Sequence, residues 1–260
     1  MPAWQKRPSV AFDRVADAYD ASRSLSPAAA AELNAVLAEA LIGHGPVLEI
    51  GVGTGRIALP LADTGIEVVG IDLARPMLEK LVAKGDGVPV AEADATALPF
   101  PDDAFGAVVA AHVFHLVPEW RDSVLECLRV LRPDGVLLWA RGGHGAPGNA
   151  LAEVFCAGAG IDRTPVGLDE VEGLDAYLRS RHWKGEWLAE VDDDRETSTA
   201  AMIDLFASGD LAWTWSASQE DRDRGAEAAR AWAAAEGIDL DVPRRLGRPV
   251  RFRRFAAIRR

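Results

Sequence analysis

Apolar positions along the chain change their spacing several times, and each change predicts a change of element. Ser26 and Pro27 precede residues 28–41, where Leu33, Val36, Leu37 and Ala40 recur at helical spacing. This predicts a capped helix with Pro at an early helical position. Residues 10–20 carry an earlier pattern of the same kind through Phe12, Val15 and Tyr19. From Pro46 the period shortens. Residues 46–50 form an apolar run that ends in glycines, residues 54–62 return to helical spacing, and residues 67–71 predict a second strand. A helix through Met77, Leu78, Leu81 and Val82 follows, then strands over 88–93 and 105–111. A helix over 119–131, a turn at Pro133-Asp134-Gly135 and a strand over 136–140 complete the series. Strands alternating with helices predict right-handed βαβ units and a parallel sheet. The strands are apolar throughout, as expected when helices cover both faces.

Beyond Gly142 the texture loosens. Gly142-Gly143-His144-Gly145-Ala146-Pro147-Gly148 reads as a loop, and the segment to about residue 194 carries Tyr177, Trp183 and Trp187 among scattered turns. Residues 196–207 and 219–235 predict helices, and residues 250–258 an alternating closing strand. No repeat or linker divides the chain. The reading is one domain over 1–260, with a core at about 45–141 plus the strand 250–258, and cap elements at about 9–41 and 142–245.

Composition narrows the class. Apolar residues make up 49% of the 260 and charged residues 26%, so the chain is globular rather than disordered. With 28 Lys+Arg against 40 Asp+Glu the net charge is -12, which argues against a broad nucleic-acid interface. Arg244, Arg245, Arg248, Arg251, Arg253, Arg254, Arg259 and Arg260 run against that balance; their alternation with apolar residues predicts the solvated side of the closing strand. Cys127 and Cys156 lie in no metal-ligand spacing and read as buried apolar residues in a reduced, cytoplasmic setting. No apolar run reaches the ~18 residues of a membrane span, and residues 1–7 lead into no apolar export segment.

The chemistry gathers at the strand ends. Leu48-Glu49-Ile50-Gly51-Val52-Gly53-Thr54-Gly55-Arg56 lies between a strand and a helix, where glycines admit positive φ and close approach of a ligand. The dinucleotide fingerprint asks for glycine at the sixth position, which here is Arg56. Glu49 would repel a pyrophosphate but suits a cation such as an amino-acid ammonium. Asp72, at the end of the second strand, is placed to accept from both hydroxyls of a ribose. Asp94 follows the third strand and can accept from an exocyclic adenine amine. The alternative is that all three acids only cap turns and helices.

These segments resemble class I S-adenosylmethionine (SAM)-dependent methyltransferases. Glu49-Ile50-Gly51-Val52-Gly53-Thr54-Gly55 is similar to motif I, and Gly70-Ile71-Asp72-Leu73-Ala74-Arg75-Pro76-Met77-Leu78 to the ribose segment. Asp94-Ala95-Thr96-Ala97-Leu98-Pro99-Phe100-Pro101-Asp102-Asp103-Ala104-Phe105 resembles the adenine segment, and Arg129-Val130-Leu131-Arg132-Pro133-Asp134-Gly135 the turn before strand five. The likeness covers roughly residues 45–141, with a further similar stretch at 12–20, and points to the small-molecule branch that includes ubiquinone/menaquinone biosynthesis methyltransferases. It implies a Rossmann-like, seven-stranded, mostly parallel α/β sheet with helices on both faces. The last strand would be antiparallel and inserted between strands five and six, under a helical cap. It implies SAM as cofactor, held by Glu49, Gly51, Gly53, Gly55, Asp72, Leu73, Met77, Asp94, Ala95, Thr96 and Ala111, with Tyr19 and Arg23 closing over it from the N-terminal segment.

Strand four ends in Ala110-Ala111-His112-Val113-Phe114-His115-Leu116, which faces the methyl group in that fold. His112 and His115 are three apart and would share a face if the segment turns helically. One of them is a candidate general base, since imidazole titrates near neutrality; the other reading is packing and local hydrogen bonding. His144 is a second base candidate, and Trp213 and Trp215 are candidates for an apolar substrate pocket. No Asn/Asp-Pro-Pro-aromatic sequence follows strand four and neither cysteine follows a proline, which argues against nucleic-acid substrates. No metal ligand set is expected. A SAM- or nucleoside-binding protein without transfer activity is the alternative, and a nicotinamide dehydrogenase a third reading that Arg56 and Glu49 oppose.

Overall fold

A computed structural model describes residues 25–85, 87–140, 146–162, 164, 166–168, 170–193, 195–245 and 248–258. In chain order the elements are α1 (Pro27–Leu41), β1 (Val47–Ile50), α2 (Ala58–Asp63), β2 (Val68–Asp72), α3 (Arg75–Lys84) and β3 (Val90–Glu92). Next come β4 (Phe105–Ala111), α4 (Trp120–Val130), β5 (Leu131–Ala140), α5 (Ala146–Ala159), α6 (Val171–Arg179) and β6 (Trp183–Trp187). Then follow β7 (Val191–Asp193), β8 (Glu196–Thr197), α7 (Thr199–Ser208) and α8 (Gln219–Ala235). The chain closes with β9 (Arg244–Arg245), β10 (Arg248–Val250) and β11 (Arg253–Ala257).

Seven strands form one sheet in the order β3-β2-β1-β4-β5-β11-β6. The pairs β1–β2, β1–β4, β2–β3 and β4–β5 are parallel, whereas β11 runs antiparallel to both β5 and β6. This is the sheet that the resemblance implies. All four residues of β1 are buried, because alternate side chains enter cores on opposite faces. Leu48 and Ile50 pack with Phe114, Trp120, Val124 and Leu174 on the side of α4 and α6. Val47 joins Leu37, Leu61 and Leu81 on the side of α1, α2 and α3. A third core lies between α5, α7 and α8, where Leu151, Phe155, Ile203, Phe206 and Ala229 meet.

Several boundaries differ from the sequence reading. The helix expected from residue 54 starts at Ala58, because Gly55 has φ +84° and holds the chain in a turn. The turn at Pro133-Asp134-Gly135 lies within β5: Leu131 pairs with Phe105 and Val136 with Ala107, so the extra residues bulge outward and carry Arg132, Pro133 and Asp134 to the surface. Glu196 and Thr197 pair with β9, and the helix after them begins only where the Ser198 side chain accepts from the Ala201 N–H at 3.1 Å. The stretch read as loose turns contains α5, α6 and β6. The closing strand is split, with β10 paired to β7 and only β11 in the main sheet.

Of the terminal arginines, Arg244, Arg245 and Arg251 are exposed as expected, and Arg259 and Arg260 lie outside the described residues; the correction concerns Arg253 and Arg254. As β11 is an interior strand, it has no open edge to solvate them. Arg253 instead donates to Asp175 through Nε at 2.8 Å and lies over the rings of Trp187 and Phe255. Arg254 pairs with Glu186 at 2.9 Å. Both cysteines are buried, as expected, and burial pushes the Cys127 thiol up from its ordinary pKa. Asp193 is also buried; it takes the Ser26 N–H at 3.0 Å and Arg195 Nε at 2.8 Å, tying the start of α1 to β7. Among the described residues no helix is long and apolar enough to cross a membrane.

Candidate functional site

The sheet reverses its order between β1 and β4, and open α/β sheets bind ligands at such a crevice, beyond the carboxyl ends of their strands. The glycine turn occupies that place. Gly51, Gly53 and Gly55 have φ of +67°, +55° and +84°. The turn is stitched to the second strand, with the Val52 N–H donating to the Ile71 carbonyl and the Gly53 N–H to Asp72 Oδ2, both at 2.9 Å. A Cβ at Gly51 would stand 2.4 Å from Val113 Cγ2, and one at Gly55 2.9 Å from Leu59 and Leu81. At Gly53 the nearest atom would be Met77 Cε at 3.8 Å, which leaves an open face of bare backbone.

The three acids stand at successive strand ends. Glu49 is buried near the end of β1. The Ala58 N–H donates to its carboxylate, yet Oε2 is buried without a partner among the described residues. Burial raises the Glu49 pKa to about 8, opposed by the charge of Arg56 and the Ala58 hydrogen bond and reinforced by Asp72. Asp72 closes β2 and accepts from Gly53 N and Ala74 N, so its carboxylate is fixed by backbone on both sides. Asp94, two residues past β3, accepts from Thr96 N at 2.8 Å and Thr96 Oγ1 at 2.9 Å, both through Oδ1. This is a capping pattern, which leaves Oδ2 to one side of the turn.

Of the remaining candidates, Met77 lies by Gly53, while Leu73, Ala95 and Thr96 sit half-buried beside the two aspartates. Ala111 ends β4. His112 and His115 do not share a helical face. His112 has φ +59° and donates its N–H to the Ala140 carbonyl at 2.8 Å, so the chain turns before the short 3-10 helix Phe114–Leu116 begins. The His115 carbonyl accepts from Gly167 N at 3.1 Å, which docks the inserted segment on this turn. Trp213 packs edge-on against Phe155 and Phe206 at centroid distances of 5.9 and 5.3 Å. Trp215 donates from Nε1 to the Gly209 carbonyl at 3.0 Å. Tyr19, Arg23 and His144 lie outside the described residues. Sequence reasoning missed Val113, whose packing on Gly51 no local pattern announces. No group of three or more His, Cys, Asp and Glu placed to hold a metal occurs among the described residues.

This topology, with a glycine turn after β1 and acids after β1, β2 and β3, is that of class I SAM-dependent methyltransferases. Residues 48–139 match the family profile described as a methyltransferase domain, so the centre of the chain is a methyltransferase domain. Among solved structures, the YcgJ protein of Bacillus subtilis aligns at TM-score 0.62 with 17% identity, over 88% of this chain and 100% of that one. A SAM-dependent methyltransferase of Thermotoga maritima, titled a possible histamine N-methyltransferase, aligns at 0.56 with 18% identity, over 94% and 98%. In sequence, the demethylmenaquinone methyltransferase of Thermus thermophilus is 45% identical over 98 residues, 35% of this chain and 44% of that protein. That of Renibacterium salmoninarum is 34% identical over 146 residues, 54% and 61%. The chain thus spans about half the length of the curated relatives it matches.

Proposed function

We propose that this protein binds SAM in the crevice above β1, β2 and β4 and transfers its methyl group to a small-molecule acceptor by in-line displacement. The observation that carries this reading is Glu49. Burial favours the protonated form of this carboxyl group, whose Oε2 is unpaired; a cation beside it stabilises the carboxylate instead, and an amino-acid ammonium is such a cation. The bare backbone at Gly53 leaves room for the same ligand. Asp72, pre-set by two backbone N–H groups, presents its remaining lone pairs to the ribose hydroxyls. Asp94 is turned by Thr96 toward the adenine amine.

Bound SAM supplies a sulfonium whose methyl group is already activated. The chain then has to hold the acceptor in line, exclude water and, for a protonated nucleophile, take up one proton. The turn after β4 is placed for this, and His112 or His115 is the candidate base there. Demethylmenaquinone methyltransferases, named for a quinone acceptor, support a small molecule as substrate.

Calorimetry with SAM, S-adenosylhomocysteine and NAD tests the reading. Binding of the two adenosyl compounds and not NAD is expected; binding of NAD alone would overturn it. Asp72→Ala is expected to weaken S-adenosylhomocysteine binding more than about 10-fold by removing a fixed acceptor. Unchanged affinity would refute the ribose role.

A further inference from the structure

We propose that Arg129, far along the chain from the strand ends, is the positioning residue that sets the adenine-recognition loop, residues 94–104. All five of its N–H donors are engaged. Nε donates to Glu126 Oε1 at 2.8 Å, Nη1 to the Phe100 carbonyl and Asp102 Oδ1 at 2.8 Å each, and Nη2 to the Leu98 carbonyl at 3.0 Å and Glu126 Oε2 at 2.7 Å. A guanidinium has no further donor. Glu126 in turn accepts from the Leu98 N–H at 2.8 Å, and the Arg129 carbonyl accepts from the Asp103 N–H at 3.1 Å. One residue pair on α4, three apart on a single helical face, therefore holds the loop at 98, 100, 102 and 103.

The grip begins where the site ends. The turn that aims Asp94 closes with the Ala97 N–H donating to the Asp94 carbonyl, one residue before Leu98 is captured. The Leu98 side chain is buried in the core, and Phe100 meets Phe105 edge-on at 5.0 Å, so apolar packing fixes the height of the loop. Packing is non-directional, whereas the planar fork of Arg129 fixes where the carbonyls of 98 and 100 point. A 1 Å displacement at Leu98 would pass directly into the Asp94 turn.

This inference rests on the proposed adenosyl site, and Arg129 acts there only through Asp94. The test uses the full chain and its Arg129→Lys and Glu126→Gln variants. Calorimetry would measure the affinity of each for S-adenosylhomocysteine and for its 6-oxo analogue, S-inosylhomocysteine. The wild type is expected to prefer the 6-amino ligand by about 10-fold, the worth of one buried hydrogen bond to a charged acceptor. Both variants are expected to lose most of that preference. Lys keeps the charge but cannot form the fork, so failure of Lys to restore the preference marks a geometric role. Hydrogen exchange would show faster exchange at the Leu98 amide in both variants. General destabilisation lowers both affinities together and leaves their ratio alone; variants that bind with the wild-type ratio would overturn the proposal, as would an unchanged Leu98 amide. A wild type that binds neither ligand would overturn the adenosyl site itself.

Discussion

At the scale of single residues, Glu49 sets a contest between stability and binding. Its ordinary pKa near 4.5 is raised by burial to about 8 in the folded protein. Between those values the folded state holds a proton that the unfolded chain has released. Stability of the ligand-free protein therefore falls as pH rises from about 4.5 to about 8, and levels off above. Glu49→Gln, neutral throughout, removes that slope; its thermal midpoint at pH 8 is expected to exceed that of the wild type by several degrees. Thermal melts across that range check the sign, and a variant that melts at or below the wild type throughout would refute it. The same substitution takes away the proposed partner for an ammonium, so S-adenosylhomocysteine affinity should fall as stability gains. Gly51 shows a different constraint. Alanine there must adopt φ +67° and place a Cβ 2.4 Å from Val113 Cγ2. Gly51→Ala is expected to cost about 1–3 kcal/mol in urea denaturation, from overpacking and backbone strain together.

At the scale of elements, what could be read in advance was what local periodicity encodes. The runs that became β1, β2 and β4 are apolar, and the first two lead into Gly51 and Asp72, so both the strands and the acids Glu49 and Asp72 were legible. The element Trp183–Trp187 was not, because Lys184, Gly185 and Glu186 read as a turn until Phe255 and Arg253 pack against Gly185. The helix Ala146–Ala159 opens on Pro147 and Gly148 in a Gly-rich stretch, and Trp213 belongs not only with nearby Phe206 but with Phe155, which is remote in sequence. Arg129 was visible as part of a turn motif, but its grip on residues 98–103 is non-local and invisible to spacing. Where α5 meets α8 the helices approach closely: a Cβ at Gly225 would stand 2.7 Å from the Phe155 carbonyl oxygen and 2.9 Å from Ala159 Cβ. Alanine gains about 1 kcal/mol over glycine in a helix interior, so an isolated α8 would be stabilised by Gly225→Ala. Here backbone opposes the new methyl, and the expected outcome is a net loss of about 1–2 kcal/mol. A stabilised variant in chemical denaturation would show that the helices can part without cost.

At the scale of the whole molecule, two cores on the faces of the sheet carry the cofactor half, and the third, between α5, α7 and α8, has its own aromatic centre. With the proposed adenosyl site inside residues 48–139, the same proposal leaves choice of acceptor to elements outside them, and α5 to α8 make up much of that remainder. Trp213 tests how far the third core is independent. Its ring completes the trio with Phe155 and Phe206, so the structure assigns it to packing before any contact with an acceptor. Trp213→Ala is expected to cost about 3 kcal/mol, as truncation of a packed aromatic side chain does. The glycine turn belongs to a different core, and mutational effects that share no partners stay separate. S-adenosylhomocysteine affinity, measured below the onset of unfolding, should therefore remain within about 2-fold of the wild type. A variant that kept its stability but lost affinity for that ligand would place Trp213 at the cofactor and join the third core to the adenosyl site.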